Sequence, residues 1–364
     1  MNKKNFLISN IFLAFLFFFF IFLFYISNYL FLSELRDSNL FFSWWNQDQY
    51  LINYNDFGFV KRGLIGTIFN IDDINYKFYS KIIALTVIFF IVVIFLLIFK
   101  NVNNIQTKKF LLLLALSPFL FLQLGYDFGR FDQFGIAFIL LTFLFILKKK
   151  SIFILEVFAP FTILIHEIHF FSVVIFFIYI QVELKRKTLN IFYVFLSSII
   201  ILITLFFFGG IDEQTYQNFI NKYWFIKVYF SNSHIDGYIF FWSDVFKFNT
   251  TIFYRHLVSI LIFIYLLFFF IKKINSNKLT ILILFFSPCF IIGIDHARFL
   301  SLFIVNIYLI FFLILINKKS IIKTPTFKNY YFAIVLLGPW GVNICLPILT
   351  IVKKAILYGT LTFN

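Results

Sequence analysis

Three short polar segments hold most of the side chains of this sequence that could do chemistry. They are YDFGRFD at 126–132, HEIH at 166–169 and DHAR at 295–298, and each lies between long apolar runs. Carboxylates next to arginine or histidine can move protons or hold anionic groups. The same spacing also allows a structural interpretation, in which Asp127 with Arg130 and Asp295 with Arg298 are i,i+3 pairs that fasten helix ends.

The HEIH segment is close to a metal-binding pattern but differs from it in spacing. In the metalloprotease signature the two histidines are four residues apart, whereas His166 and His169 are three apart. The segment therefore has three possible roles: an acid/base or sugar-binding site, a metal site, or a structural turn. We expect neither a metal nor a cofactor, and the sequence has no Gly-rich nucleotide-binding loop.

The elements that position these segments are predicted to be membrane helices. Of the 364 residues, 62% are hydrophobic and 63 are Phe. Runs of about 20 apolar residues with few charges match the ~30 Å hydrocarbon core of a bilayer. The first run, Phe6 to Phe31, is too long for a secretory signal and is predicted to be a retained helix. The net charge of +15 comes mainly from lysines beside helix ends, so it indicates contact with lipid headgroups and not with nucleic acid.

The positive-inside rule predicts the topology, because lysine clusters punctuate the apolar runs. With every cluster and the N-terminus in the cytoplasm, the chain crosses ten times, at about 6–32, 82–99, 110–124, 133–147, 152–165, 169–183, 190–208, 257–271, 279–294 and 299–317. The stretch 152–183, which contains Pro160, could instead be a single helix, and this would invert everything downstream. The GPWG break in 331–352 permits an eleventh crossing or a re-entrant hairpin.

This topology places two larger loops, 33–81 and 209–256, and all three polar segments on the outer face. Lysine outnumbers arginine 25 to 6, yet all the arginines except Arg186 lie outside. Of these, Arg36 is predicted to be an interfacial anchor. A guanidinium binds phosphate through two parallel hydrogen bonds, which an ammonium cannot do. The outer loops also combine carboxylates with Tyr and Trp, a mixture suited to sugars, although interfacial aromatic residues need no ligand.

In architecture the chain resembles the O-antigen and capsule repeat-unit polymerases of bacterial surface-polysaccharide clusters. It has ten or more helices, a Phe- and Ile-rich composition, large outer loops and outer-face arginines. NQDQY and NDFGFVKRG, soon after the first helix, are also similar to the Asp-bearing first outer loop of integral-membrane glycosyltransferases of the C superfamily. In that superfamily a carboxylate there activates the acceptor. In this chain Asp48 and Asp56 are eight residues apart, so the usual paired acidic motif is not matched.

The resemblance implies an all-α, single-domain bundle spanning 1–364 in the bacterial inner membrane. It implies a glycosyltransferase that polymerises polyprenyl-diphosphate-linked oligosaccharide repeat units at the outer face. A polyprenyl-monophosphate sugar transferase and a flippase or transporter are the alternatives. The expected partners are the lipid-linked glycan, membrane lipids and a chain-length regulator, and no nucleic acid.

Such a reaction needs groups that hold the leaving diphosphate and a group that accepts a proton. We assign Arg62, Arg130 and Arg298 to the diphosphate. The proton acceptor is one of three residues between which the sequence does not decide: Asp56, His166 and Glu167. Four further ionisable side chains of the polar segments are predicted to complete the substrate site, and they are Asp127, Asp132, Asp295 and His296.

Overall fold

The described part of the chain is helical and has no strand. The structure is a computed structural model, and it describes residues 46–47, 49–71, 75–102, 108, 111, 114–115, 120, 124, 128–210, 261 and 296–317. The predicted all-α class is confirmed for these residues. The predicted spans 6–32 and 279–294, most of 110–124 and 257–271, and the segment 331–352 lie outside them, as does nearly all of the loop 209–256.

Nine α-helices are described, together with two short turns of other geometry. The α-helices are α1 (Tyr54–Phe57), α2 (Gly63–Phe69), α3 (Tyr76–Asn101), α4 (Asp132–Leu147), α5 (Phe153–Phe158), α6 (Thr162–Ile165), α7 (Ile175–Glu183), α8 (Thr188–Phe208) and α9 (His296–Asn317). A 3₁₀ turn, Gln49–Leu51, precedes α1, and a π-helical turn, Phe170–Val174, leads directly into α7.

The segment 152–183 is a helical hairpin. The Nε atom of Arg186 donates to Oε1 of Glu156 at 2.7 Å, although the two residues are 30 apart in sequence. A single straight helix would hold them about 45 Å apart. The first arm of the hairpin consists of α5 and α6, which are separated at Pro160. The second arm, called the returning arm below, consists of the π turn and α7. HEIH therefore lies at the tip of the hairpin, opposite the end where Arg186 binds Glu156.

Three helical segments run in the same direction and bring their first residues to one end. On α4, Asp132 lies near His166 at the start of the returning arm, and the Phe143 ring stacks on Phe176 further along that arm. On α9, Asn306 donates to the Ser172 carbonyl oxygen, and the ring of Phe312 lies against Phe143. The first turn of α9 is therefore at the same end as the hairpin tip.

Helix α8 returns the chain to that end. Near its start, Asn190 donates to Glu156 at 2.7 Å, and after its last residue the Gly209 carbonyl oxygen accepts from the backbone N–H of Lys61 at 3.1 Å. Thus the two ends of the described assembly differ in their polar residues. One end has the Glu156 cluster, and the other has the loop that contains Lys61 and Arg62.

Two of the described helices, α3 and α8, are long and apolar enough to cross a membrane. Only 17% of the residues in the most apolar 18-residue stretch of α8 are buried. Its last three side chains, Phe206 to Phe208, are each at least 70% exposed. A contiguous exposed aromatic surface is costly in water but is stable against lipid tails. This pattern indicates association with a membrane.

The predicted helix bounds differ from those observed where polar or breaking residues occur. Helix α3 begins at Tyr76 instead of residue 82, so it takes in the end of the predicted loop 33–81. Asp132 is the first residue of α4 and not part of a preceding turn. Similarly, the described part of the helix predicted at 299–317 extends from His296 to Asn317, so His296 and Arg298 lie on the helix.

Candidate functional site

Five charged or ionisable side chains form a continuous line at the hairpin tip. Arg62 donates from Nε to Oε2 of Glu167 at 3.2 Å and from Nη2 to Oε1. Nδ1 of His166 is 3.2 Å from Oε2 of Glu167, and its Nε2 is 3.9 Å from Oδ1 of Asp132. The second oxygen of Asp132 is 3.7 Å from Nε of Arg130. We call this line the polar relay.

The polar relay is buried in its middle and partly exposed at both ends, more so at the end with Arg62 and Glu167 than at Arg130, which is 18% exposed. The His166 side chain is 2% exposed and that of Asp132 is fully buried, whereas the exposed fractions of the Arg62 and Glu167 side chains are 21% and 35%. A ligand arriving from outside therefore meets the Arg62 and Glu167 pair first. The imidazole and the buried carboxylate lie behind that pair.

Arg62 reaches the relay from an unusual backbone conformation. It has φ 65° and ψ 10° and directly precedes α2. A left-handed conformation is uncommon for a residue with a Cβ atom and is maintained only where surrounding contacts impose it. The backbone bond from Lys61 to Gly209 and the bidentate pair with Glu167 are two such contacts. They join the predicted loop 33–81 to both α8 and the hairpin tip.

Arg130 and Asp132 are held by a network that orders the turn before α4. Tyr50 donates to the Gly129 carbonyl oxygen at 2.9 Å, and Asn46 donates to that of Phe128 at 2.9 Å. The side chain of Gln133 accepts from the backbone N–H of Gly129. Gly129 has φ 79°, which glycine adopts without strain. Three side chains thus fix the backbone on which the buried carboxylate of the relay depends.

His169 lies beside the relay in a space provided by Gly135. Its Nδ1 is 2.8 Å from the carbonyl oxygen of Thr162, which can only accept, so Nδ1 carries the proton and Nε2 has the lone pair. A Cβ atom at Gly135 would lie 2.8 Å from that Nε2 and 2.9 Å from Cγ2 of Val173. The missing side chain therefore lets α4 approach the returning arm closely at His169. The ring centroid of His169 lies 5.9 Å from that of His166.

Burial and neighbouring charges set the protonation of the relay. Burial alone would raise the pKa of Glu167, but Arg62 and His166 hold this pKa well below its usual range, so Glu167 is ionised. Burial, assisted by the positive charge of Arg62, lowers the pKa of His166. Burial likewise lowers the pKa of Lys61. At neutral pH the relay therefore pairs a neutral imidazole with an ionised carboxylate on its open side.

His166 has two alternative hydrogen bonds at Nδ1, and they require different tautomers. When Nδ1 has no proton, it accepts from the backbone N–H of Ile168 at 3.2 Å. When Nδ1 is protonated, it donates to Glu167, and Nε2 is left with a lone pair. Within the described part of the chain Nε2 is buried and makes no hydrogen bond. In the second tautomer the arrangement can accept a proton at Nε2.

The structure brings together five of the residues predicted for the site: Arg62, Arg130, Asp132, His166 and Glu167. Asp56 is exposed, and its carboxylate accepts from the N-cap residue Asn53 at 2.9 Å instead of joining the polar relay. Asp127 and Asp295 lie outside the described residues. His296 and Arg298 are placed on the backbone of α9, but their side chains are outside the described part.

The sequence did not indicate several residues that shape the site. Tyr50 falls in a Trp- and Tyr-rich stretch that was interpreted as an interface or sugar-binding surface, and nothing local marks its ring as a support for the turn at Gly129. Asn306 and Thr162 are isolated polar residues in apolar runs. Gly135 is the exception, because a glycine inside an apolar helix is a signal of close packing.

Among the described residues, no group of three or more His, Cys, Asp or Glu side chains is arranged to hold a metal ion. No protein-family model, curated protein or solved structure matches the chain. The geometry of the polar relay is therefore the basis for assigning a function.

Proposed function

We propose that this protein is a multi-pass inner-membrane glycosyltransferase that joins polyprenyl-diphosphate-linked oligosaccharide repeat units at the outer face of the membrane. The observation that carries the proposal is the polar relay, in which a buried imidazole lies between two carboxylates and the outer one of these pairs with an arginine. Such a line supplies both a proton acceptor and a phosphate-binding group. The membrane assignment is supported by α3 and α8, which are long and apolar enough to span a bilayer.

His166 is the proton acceptor in this proposal. A sugar hydroxyl of the acceptor attacks the anomeric carbon of the lipid-linked donor and gives its proton to Nε2. Because Nε2 is buried in the free protein, this transfer requires that substrate binding opens a path to it. A new carbon–oxygen bond forms as the bond to the diphosphate breaks, and the diphosphate leaves with the bonding electrons. A neutral imidazole suits this step better than Glu167, whose depressed pKa makes it a weak base. It also suits the step better than Asp56, which bonds within its own turn.

The arginines stabilise the leaving group. Negative charge accumulates on the diphosphate as the glycosidic bond forms, and fixed guanidinium donors stabilise that charge without reorganisation. Arg62 stands at one end of the relay and Arg130 at the other, and their side chains are 21% and 18% exposed. Arg298, on the first turn of α9, is the third predicted donor. Stabilisation of the leaving group requires neither the chain-length regulator nor a particular sugar.

The position of the relay favours a transferase over a carrier. A secondary transporter places its substrate site near the middle of the membrane, at interrupted helices. The relay instead lies where α4, α9 and the returning arm begin and where α8 ends. An enzyme that works on lipid-linked substrates at the outer surface needs its polar groups at that level.

The test is surface polysaccharide in a strain that lacks the gene and is complemented with single variants. His166→Gln removes the proton acceptor and should reduce the yield of long-chain polymer by about a hundredfold, because general base catalysis contributes about 10²–10⁴ in rate. Glu183→Gln, at the far end of α7, is the control and should restore full chain length. Membrane abundance is measured for each variant. If deletion of the gene leaves the polysaccharide unchanged, the polymerase proposal is wrong.

A further inference from the structure

We propose that Glu167 is an internal counter-ion that occupies the phosphate-binding edge of Arg62 until a substrate diphosphate displaces it, after which the released carboxylate orients His166 for proton transfer. The identity of the anion rests on the proposed function. The exchange of partners at Arg62 rests on the geometry of the polar relay.

The first step concerns the edge of the guanidinium that is engaged. Arg62 uses Nε and Nη2 together to bind both oxygens of Glu167. This is the edge that offers two parallel donors to a carboxylate or a phosphate. A diphosphate that is to be held in the same bidentate way must replace Glu167, because one edge accepts one such partner.

An anion from outside can reach the pair of Arg62 and Glu167. The Glu167 side chain is 35% exposed and that of Arg62 is 21% exposed, whereas His166 and Asp132 are enclosed. Solvent screens a partly exposed ion pair, so a doubly charged anion can compete for this arginine. At the other end of the relay the Arg130 side chain is 18% exposed, but its partner Asp132 is fully buried and cannot swing out into solvent. The exchange therefore takes place at Arg62.

The charges around Arg62 favour the binding of an anion. Among the described side chains of the polar relay and its neighbour Lys61, three are positive and two are negative while the histidines are neutral. The positive ones are Lys61, Arg62 and Arg130, and the negative ones are Asp132 and Glu167. Lys61 lies close enough to Arg62 for the two positive charges to oppose each other. An arriving diphosphate relieves this repulsion, and this offsets the loss of the Glu167 contact.

The fourth step links displacement to the base. Oε2 of Glu167 is already 3.2 Å from Nδ1 of His166. While Arg62 holds both carboxylate oxygens, the N–H of Ile168 competes for Nδ1 and favours the tautomer whose Nε2 is protonated. Once released, Glu167 accepts from Nδ1, and Nε2 then has the lone pair that takes the acceptor proton. Binding of the leaving group thereby prepares the base for the reaction.

The binding test uses the full-length protein in nanodiscs of neutral lipid, titrated with inorganic pyrophosphate in a calorimeter. Glu167→Gln should bind pyrophosphate about tenfold more tightly than the unmodified protein, because the competing carboxylate is gone. Glu183→Gln makes the same chemical change at the other end of α7 and should leave the affinity unchanged. Equal or weaker binding by Glu167→Gln overturns the proposal.

A double variant shows whether the effect passes through Arg62. Arg62→Lys should bind pyrophosphate weakly, and adding Glu167→Gln to it should give at most a twofold gain, because the bidentate edge is absent. A full tenfold gain in the double variant would mean that Glu167 acts only as a general negative charge, which contradicts the exchange at Arg62.

A measurement on the unmodified protein covers the case in which these variants do not fold. Nitrogen NMR of ¹⁵N-histidine-labelled protein distinguishes the two imidazole tautomers. Pyrophosphate should shift His166 to the form protonated at Nδ1, and an unchanged His166 tautomer at saturating pyrophosphate overturns the proposed coupling.

Two further titrations identify the source of the diphosphate group. A short-chain polyprenyl diphosphate should compete with pyrophosphate, whereas phosphatidylglycerol added to the nanodiscs should not. Competition by phosphatidylglycerol would make this a headgroup site and overturn the substrate assignment. These measurements need no polymerase activity, so a failure of the proposed function in cells is distinguishable from a failure of the exchange at Arg62.

Discussion

Arg186 and Glu156 join the two open ends of a helical hairpin. The guanidinium Nε lies 2.7 Å from the carboxylate, and Asn190 donates to the second carboxylate oxygen, also at 2.7 Å. Glu156 is 2% exposed, so its charge depends on these two partners. The pair fixes where the chain reverses, and this in turn places HEIH at the opposite end.

The first prediction is that Lys148 and Lys187 face the same side of the membrane. Helix α4 runs parallel to the returning arm, so residues just after the two helices lie at one end. Gly210, which follows α8, should face the other side. The measurement is labelling with a membrane-impermeant maleimide in intact and opened cells, using single cysteines at these positions after replacement of Cys289 and Cys345. Labelling of positions 148 and 187 from opposite sides would be incompatible with the hairpin in a membrane.

A second prediction concerns the close packing at Gly135. Gly135→Ala places a Cβ atom within 3 Å of His169 and Val173, and overpacking of this kind costs about 1–3 kcal/mol. We expect a lower unfolding temperature in detergent and reduced polymer in cells. Gly210→Ala is the matched control, because a Cβ atom there contacts nothing within 4 Å. If Gly135→Ala is as stable as the control, His169 is not packed against α4 as described.

The third prediction is a pair of opposite shifts in the pH dependence of activity. The reactive form of His166 is neutral, and its pKa is lowered by burial and then by Arg62, while Glu167 and Asp132 raise it. Activity should therefore persist below the usual pKa of histidine, about 6.5, and fall on further acidification. Glu167→Gln should lower the pH at which activity falls, and Arg62→Gln should raise it, each by about half a pH unit or more.

These shifts are measured as the rate of polymer formation by purified protein across a pH series. Each variant is compared with its own maximum rate, so a lower overall rate does not obscure the pH at which its activity falls. Asp132 and His169 also interact with His166, while Lys61 lies near Glu167 and Arg62, and Arg130 lies near Asp132. These four residues are left unchanged in both variants. Shifts in the same direction for the two variants would exclude His166 as the group that titrates.

The sequence predicted the helical class and the apolar helices because both depend on local composition. Helix α8 was expected at 190–208 and extends from Thr188 to Phe208. The turn at HEIH also followed from local signals, since Pro160 and a polar tetrapeptide interrupt an apolar run. In contrast, the pairing of Arg62 with Glu167 spans 105 residues and has no local signature. Any of the arginines predicted on that side could have been its partner.

The contact between Arg130 and Asp132 was not predicted from local spacing. The predicted i,i+3 partner, Asp127, lies outside the described residues, and the structure shows Asp132 at 3.7 Å from Arg130. Asp132 turns inward because it begins α4, where a carboxylate is stabilised by the helix N-terminus, and because His166 lies behind it. Tertiary packing and not sequence distance decided the contact.

The last prediction concerns Arg298, whose position follows from the packing of α9. Asn306 contacts the returning arm at Ser172, and Arg298 lies about two helical turns, roughly 12 Å, before Asn306 on the side of the hairpin tip. If Arg298 binds the diphosphate through two hydrogen bonds, Arg298→Lys should lower the yield of long-chain polymer by about tenfold despite keeping the charge.

The matched control is Arg36→Lys, at the predicted interfacial anchor outside the described residues, where lysine also extends to the interface and full activity is expected. Complementation of the deletion strain, with membrane abundance measured in parallel, gives the readout. Wild-type chain length from Arg298→Lys at normal abundance would remove Arg298 from the diphosphate site and leave leaving-group stabilisation to Arg62 and Arg130.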